Sequence, residues 1–144
     1  MKLLLTLALL SASVLVSAAE PEWLTDMDEA RRIAKKENKH ILVNFAGSDW
    51  CGWCKRLDRE VFNKSAFKEF SEENLVLLKV DFPRKTKLPT DQAAANRALK
   101  RQYGVQGFPT IFLMTAGERI VVKTGYRRGG ADKYVDFLRE KIGH

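Results

Sequence analysis

The chain has two cysteines, and both stand in one tetrapeptide, Cys51-Gly52-Trp53-Cys54. Thiols three positions apart at the start of a helix lie within bonding reach. Free backbone N–H groups and the positive end of the helix dipole favour the thiolate there over the thiol. The residue types and spacing therefore suit thiol–disulfide exchange. Cys51, with a lowered pKa, is expected to be the nucleophile. Cys54, one turn on and pointing inward, is expected to resolve a mixed disulfide by intramolecular attack. Gly52 leaves room for the close approach of another chain, and Trp50 and Trp53 flank Cys51 with aromatic surface suited to a flexible polypeptide.

Other uses of the pair fit less well. A disulfide staple gains with loop length, and this loop is far shorter than the ~15 residues that give ~3 kcal/mol. A zinc site needs two further ligands, whereas His40 falls in an expected strand and His144 is the last residue. No metal and no other cofactor is expected. Inert core thiols sit poorly beside a glycine and two tryptophans.

Elements must hold this tetrapeptide in place. Of the 144 residues, 45% are hydrophobic and 30% charged, a globular composition that excludes a disordered, collagen-like or multispan membrane chain. Thr25-Asp26-Met27-Asp28 reads as a capping box opening a helix that ends at Asn38. His40–Ala46 and Leu75–Phe82 are short apolar runs of the kind that form buried strands. A helix is expected from about Cys51 through Leu57 and Val61, with a further turn near Ala66, Phe67 and Phe70. Another begins at Asp91, carries Ala94, Ala95, Ala98 and Leu99, and ends by Tyr103-Gly104. Thr110–Met114 and Arg119–Thr124 form a hairpin across Ala116-Gly117-Glu118. Ala131 to Ile142 closes the chain with a helix whose apolar face is Tyr134, Val135, Leu138 and Ile142. The order α-β-α-β-α-β-β-α implies an α/β fold, with parallel crossovers and one antiparallel edge. Trp23, Phe62, Phe67 and Phe70 read as packing residues.

Residues 1–19 are expected to be a cleaved signal peptide. Lys2 is followed by an apolar run from Leu3 and by Ser17-Ala18-Ala19 at a cleavage point. Residues 20–144 are then a single domain, exported to the periplasm, where disulfides persist.

The strand Ile41–Ala46, the segment Trp50-Cys51-Gly52-Trp53-Cys54-Lys55 and the later Val105-Gln106-Gly107-Phe108-Pro109-Thr110 together resemble the thioredoxin superfamily over nearly the whole mature chain. The resemblance implies the thioredoxin fold, a central mixed sheet of parallel strands and a C-terminal antiparallel hairpin flanked by helices. It also implies that Pro109 is a cis-proline facing the disulfide, with the backbone of Phe108 open to pair with a substrate strand. Gly47 to Leu57 is similar to exported single-domain bacterial members and to the C-terminal periplasmic domain of the transmembrane disulfide reductase DsbD. In one respect the chain departs from thioredoxins. Asn44 stands where they carry a buried aspartate that takes the proton of the resolving cysteine, and Leu77 stands where they carry a lysine. Bound water or the leaving thiolate can serve Cys54 instead.

The motif names the reaction and not its direction. A reductase of exported disulfide-containing proteins, supplied by a membrane-embedded electron donor and working as a monomer, is the expected reading. An oxidase or isomerase, and a peptide-binding chaperone or adaptor without turnover, stay open beside it. The net charge of +7, with clusters at Arg84-Lys85-Thr86-Lys87, Lys100-Arg101 and Arg127-Arg128, reads as a solvated basic surface that can steer acidic substrates. Nucleic acid is not an expected partner.

Overall fold

A computed structural model describes residues 20–143; the signal peptide expected over residues 1–19 lies outside them. Five strands and five helices follow in the order β1 (Trp23–Leu24), α1 (Met27–Glu37), β2 (His40–Ala46), α2 (Gly52–Leu57), α3 (Ser65–Asn74), β3 (Leu75–Asp81), α4 (Thr90–Gln102), β4 (Thr110–Met114), β5 (Ile120–Thr124) and α5 (Gly130–Ile142). The strands form one mixed sheet in the spatial order β1-β3-β2-β4-β5. β1, β3 and β2 run parallel, and β4 and β5 are antiparallel to their neighbours. This is the thioredoxin fold.

Alternation along the central strands sends side chains to two cores. Leu42, Leu77, Ile111 and Leu113 pack on one face with Leu57, Phe62, Phe67, Phe70, Tyr134 and Leu138. Ile41, Val43, Phe45, Leu78, Val80 and Phe112 pack on the other with Met27, Ala30 and Ala34 of α1. β2 is buried on both faces, which is why it reads as an uninterrupted apolar run.

Several elements differ from the sequence expectation. Asp26, not Thr25, caps α1, its carboxylate accepting the N–H of Glu29 at 2.7 Å. Asn38 ends that helix in the left-handed conformation. The helix after the motif changes to a π turn over Asp58–Phe62, which brings Val61 and Phe62 into the core. α4 leaves Ala94, Ala95 and Ala98 exposed and buries Asn96. That amide donates to the carbonyl of Asp81 at 2.9 Å and so pins the helix to the end of β3. β1 was not expected. Its Trp23 packs on Phe62 with ring centroids 5.1 Å apart, so the residue is an anchor as read, within a two-residue edge strand.

Candidate active site

β2 ends at Ala46, and the chain turns over Gly47–Trp50 into α2. Gly47 is required at that turn, because a Cβ there would lie 2.4 Å from the Trp50 indole. Its carbonyl accepts the N–H of Cys51 at 2.8 Å. Cys51 is the N-cap of α2, and its Sγ accepts the N–H of Cys54 at 3.2 Å. Cys51 and Cys54 form a disulfide, with Cα atoms 5.3 Å apart. Cys51 is 7% exposed and Cys54 2%, so the first cysteine is the more accessible, as the position of an outer sulfur requires. Nothing lies within 4 Å of where a Gly52 side chain would begin, which leaves that side of the pair open.

The cysteines pack with Ala46, Trp50 and Phe108. The Phe108–Pro109 peptide bond is cis. The Phe108 ring stacks on Phe82 at 5.1 Å and meets Trp50 edge-on at 6.0 Å. The turn Gly107–Thr110 is closed by the Thr110 hydroxyl, which donates to the carbonyl of Gly107 at 2.7 Å.

The two tryptophans have different surroundings. Trp53 is exposed, lies 5.1 Å from the Tyr126 ring, and shares with it the guanidinium of Arg56 at 5.3 and 5.2 Å. Arg56 and the Tyr126 hydroxyl both donate to Glu60, at 2.7 and 2.5 Å, and these bonds hold the Glu60 carboxyl below its usual range. Trp50 is half-buried. Its indole N–H donates to the carbonyl of Phe82 at 2.8 Å, and the Arg84 guanidinium lies 3.6 Å from its ring centroid.

Composition alone did not single out the residues that bolt the motif to the segment after β3. Ser48 donates through its N–H and hydroxyl to the two carboxylate oxygens of Asp81, at 2.9 and 2.5 Å. Asp49 accepts the backbone N–H groups of Arg84, Lys85 and Thr86 at 3.0, 2.8 and 3.0 Å. These bonds, with Arg84 first, hold the Asp49 carboxyl below its ordinary value. The signal was a polar Ser-Asp pair placed between a buried strand and the cysteines, where only a specific partner explains it.

Asn44 is 2% exposed, and its side-chain oxygen has no hydrogen-bond partner among the described residues. Its register partner on β3 is Lys79. Leu77 is buried, two positions back on the same strand face. A carboxyl acts on this region through Lys79. Asp58 follows Cys54 by four positions, and so lies on the same side of the helix. Burial pushes its carboxyl up; Lys79 draws it down and Asp81 opposes that. Among the described residues no three His, Cys, Asp or Glu side chains gather as a metal site.

Residues 27–140 match the family model described as the thioredoxin-like domain. The chain is 34% identical to the disulfide bond reductase DsbH of Chlamydia pneumoniae over 88% of its own length and 76% of that protein. A solved structure of a DsbH oxidoreductase superposes with a TM-score of 0.84 at 32% identity, over 95% of this chain and 94% of the other. The oxidised C-terminal domain of DsbD from Neisseria meningitidis shares the fold, with a TM-score of 0.60 at 19% identity over 83% and 99%.

Proposed function

The chain belongs to the thioredoxin-like family, a thiol–disulfide oxidoreductase by its Cys51–Cys54 pair, and from that premise we propose that it reduces the disulfides of exported proteins. The observation that carries the reading is the placement of the pair. Cys51 caps α2 and its sulfur accepts the N–H of Cys54, while Cys54 lies deeper. An N–H directed at sulfur favours the thiolate, which is the attacking species.

The cycle balances as follows. The Cys51 thiolate attacks one sulfur of the partner's disulfide, forming a mixed disulfide and expelling the other partner sulfur as thiolate. Cys54 gives up its proton and attacks the Cys51 sulfur, releasing the second partner thiolate. The partner has gained two electrons, and the protein is left with the Cys51–Cys54 disulfide. A dithiol donor, embedded in the membrane, returns two electrons and the pair is reduced again. Asn44 cannot take the proton of Cys54. Asp58, four positions on and shifted toward the protonated form, is the ionisable group best matched to that task. Gly52 gives the partner chain access, Trp53 offers exposed aromatic surface, Phe108 packs on the pair from the opposite loop, and the cis bond to Pro109 turns the backbone of Phe108 toward the partner chain in this reading.

The reducing direction is supported by the resemblance to DsbH, named a reductase. Export and a periplasmic location rest on residues 1–19. Two measurements test the reading. A Cys54→Ala protein should accumulate mixed disulfides through Cys51; their absence would contradict the cycle. Equilibration with glutathione should place the pair near the reducing end of the known range, roughly −270 mV, whereas a value near −120 mV would make the protein an oxidase.

A further inference from the structure

The segment joining β3 to α4 carries Arg84, Lys85 and Lys87, all exposed. A basic loop of this kind is ordinarily a solvated surface. Here it is fixed against the cysteines. Asp49 holds its backbone at three consecutive N–H groups, Asp81 holds Ser48, and Trp50 holds the carbonyl of Phe82. The backbone that carries the positive charges therefore has a set position relative to Cys51.

Among the described residues, the side chains of Arg84, Lys85 and Lys87 enter none of the ion pairs, although the charge of Lys85 acts on the Asp49 carboxylate. The two nearby carboxylates are occupied by other donors. Asp49 accepts three backbone N–H groups, and Asp81 accepts from Ser48 and from the N–H of Phe82. The Arg84 guanidinium lies over the Trp50 ring, 3.6 Å from its centroid, which holds it beside the motif. Beside it opens a cavity of about 360 Å³ whose walls include Phe82, Pro83, Leu88 and the cationic Arg84, Lys87 and Arg97, with Asp81 as its one acidic residue. Apolar floor and cationic rim together suit an extended chain bearing carboxylates beside an apolar residue.

We propose that the substrate segment reduced at this site is acidic next to its disulfide, and that Arg84 and Lys87, with Lys85, bind its carboxylates. The proposal deepens the reductase reading and rests on it. The occupant is a peptide chain of an exported protein. A cluster of charges of this sign, on a backbone tied to the motif, raises the encounter rate with acidic segments and repels basic ones.

The test uses two disulfide-bonded peptides of equal length that differ only in flanking residues, glutamate in one and lysine in the other. The readout is the ratio of their kcat/KM values with the full mature protein, which cancels any general loss of activity. The ratio should favour the acidic peptide by about ten-fold or more at low ionic strength and fall toward one in high salt. It should also collapse in the Arg84→Glu/Lys85→Glu/Lys87→Glu protein and fall in part in the single Lys87→Glu variant. Equal rates for the two peptides, or a preference that survives the triple substitution, would overturn it. So would binding to anionic lipid vesicles that these substitutions abolish while the peptides are not discriminated. Hydroxyethyl disulfide, small and uncharged, separates the two ideas. Its reduction alongside undiscriminated peptides sinks only the acidic-segment proposal, whereas failure to reduce any of the three sinks the reductase reading and this proposal with it.

Discussion

The carboxylate of Asp49 accepts the backbone N–H of Arg84 at 3.0 Å, which ties the residue two positions before Cys51 to the loop after β3. Lys85 and Thr86 donate to the same carboxylate. Their bonds hold Asp49 below the ordinary carboxylate pKa, so the stabilisation is present above that ordinary value, ~3.9. It is lost as pH falls through the lower folded value. The amide resonances of residues 84–86 should therefore shift together with a single inflection below ~3.9, and Asp49→Asn should remove that inflection. An inflection at or above the ordinary value would show that the clamp does not form.

Asp58 has the opposite sign. Burial raises its carboxyl pKa in the folded protein, so the ionised side chain costs stability at neutral pH. That cost fades as pH falls through the raised folded value toward the unfolded one, ~3.9. Asp58→Asn should raise the denaturation midpoint at pH 7, and the gain should vanish near pH 4. If Asp58 takes the Cys54 proton, the same variant should slow release of the mixed disulfide while leaving its formation unchanged. A variant that is less stable than the parent at pH 7 would contradict the buried placement.

Two glycines of the motif region should respond differently to alanine. At Gly47 the new Cβ would meet the Trp50 ring at 2.4 Å, and overpacking of this kind costs about 1–3 kcal/mol. At Gly52, the first residue of α2, the new Cβ meets nothing within 4 Å, and alanine at a compatible backbone position gains about 0.4–1 kcal/mol by restricting the unfolded chain. Urea denaturation of the two variants should move in opposite directions. A tolerated Gly47→Ala would mean that Trp50 is free to leave its place.

Much of this arrangement was legible in the sequence. The runs His40–Ala46 and Leu75–Phe82, the hairpin, and the face Tyr134, Val135 and Leu138 of α5 were readable, because burial on two faces leaves a continuous apolar run and burial on one leaves a periodic one. β1 was not legible, since two residues carry no period and Trp23 is held by Phe62 from a distant part of the chain. The capping of α1 was displaced by one residue because Thr25 and Asp26 are both good caps and tertiary context chooses. In α4 the alanines suggested the packed face, yet the buried residue is Asn96, held by the carbonyl of Asp81; a polar anchor has no hydrophobic signature. At the site, the cysteines and the Phe108-Pro109 segment were visible as motifs. Asp49, Asp81 and Arg84 were not, because their roles depend on contacts more than thirty residues apart in sequence.

The central claim is that Cys51, at the cap of α2, is ionised when reduced. Titration of the reduced protein, followed by thiolate absorbance and by alkylation rate against pH, measures this directly. Cys51 should titrate well below the ~8.5 of a free cysteine and alkylate before Cys54. An outer thiol that holds its proton up to the free value and reacts no faster than its partner would contradict the account.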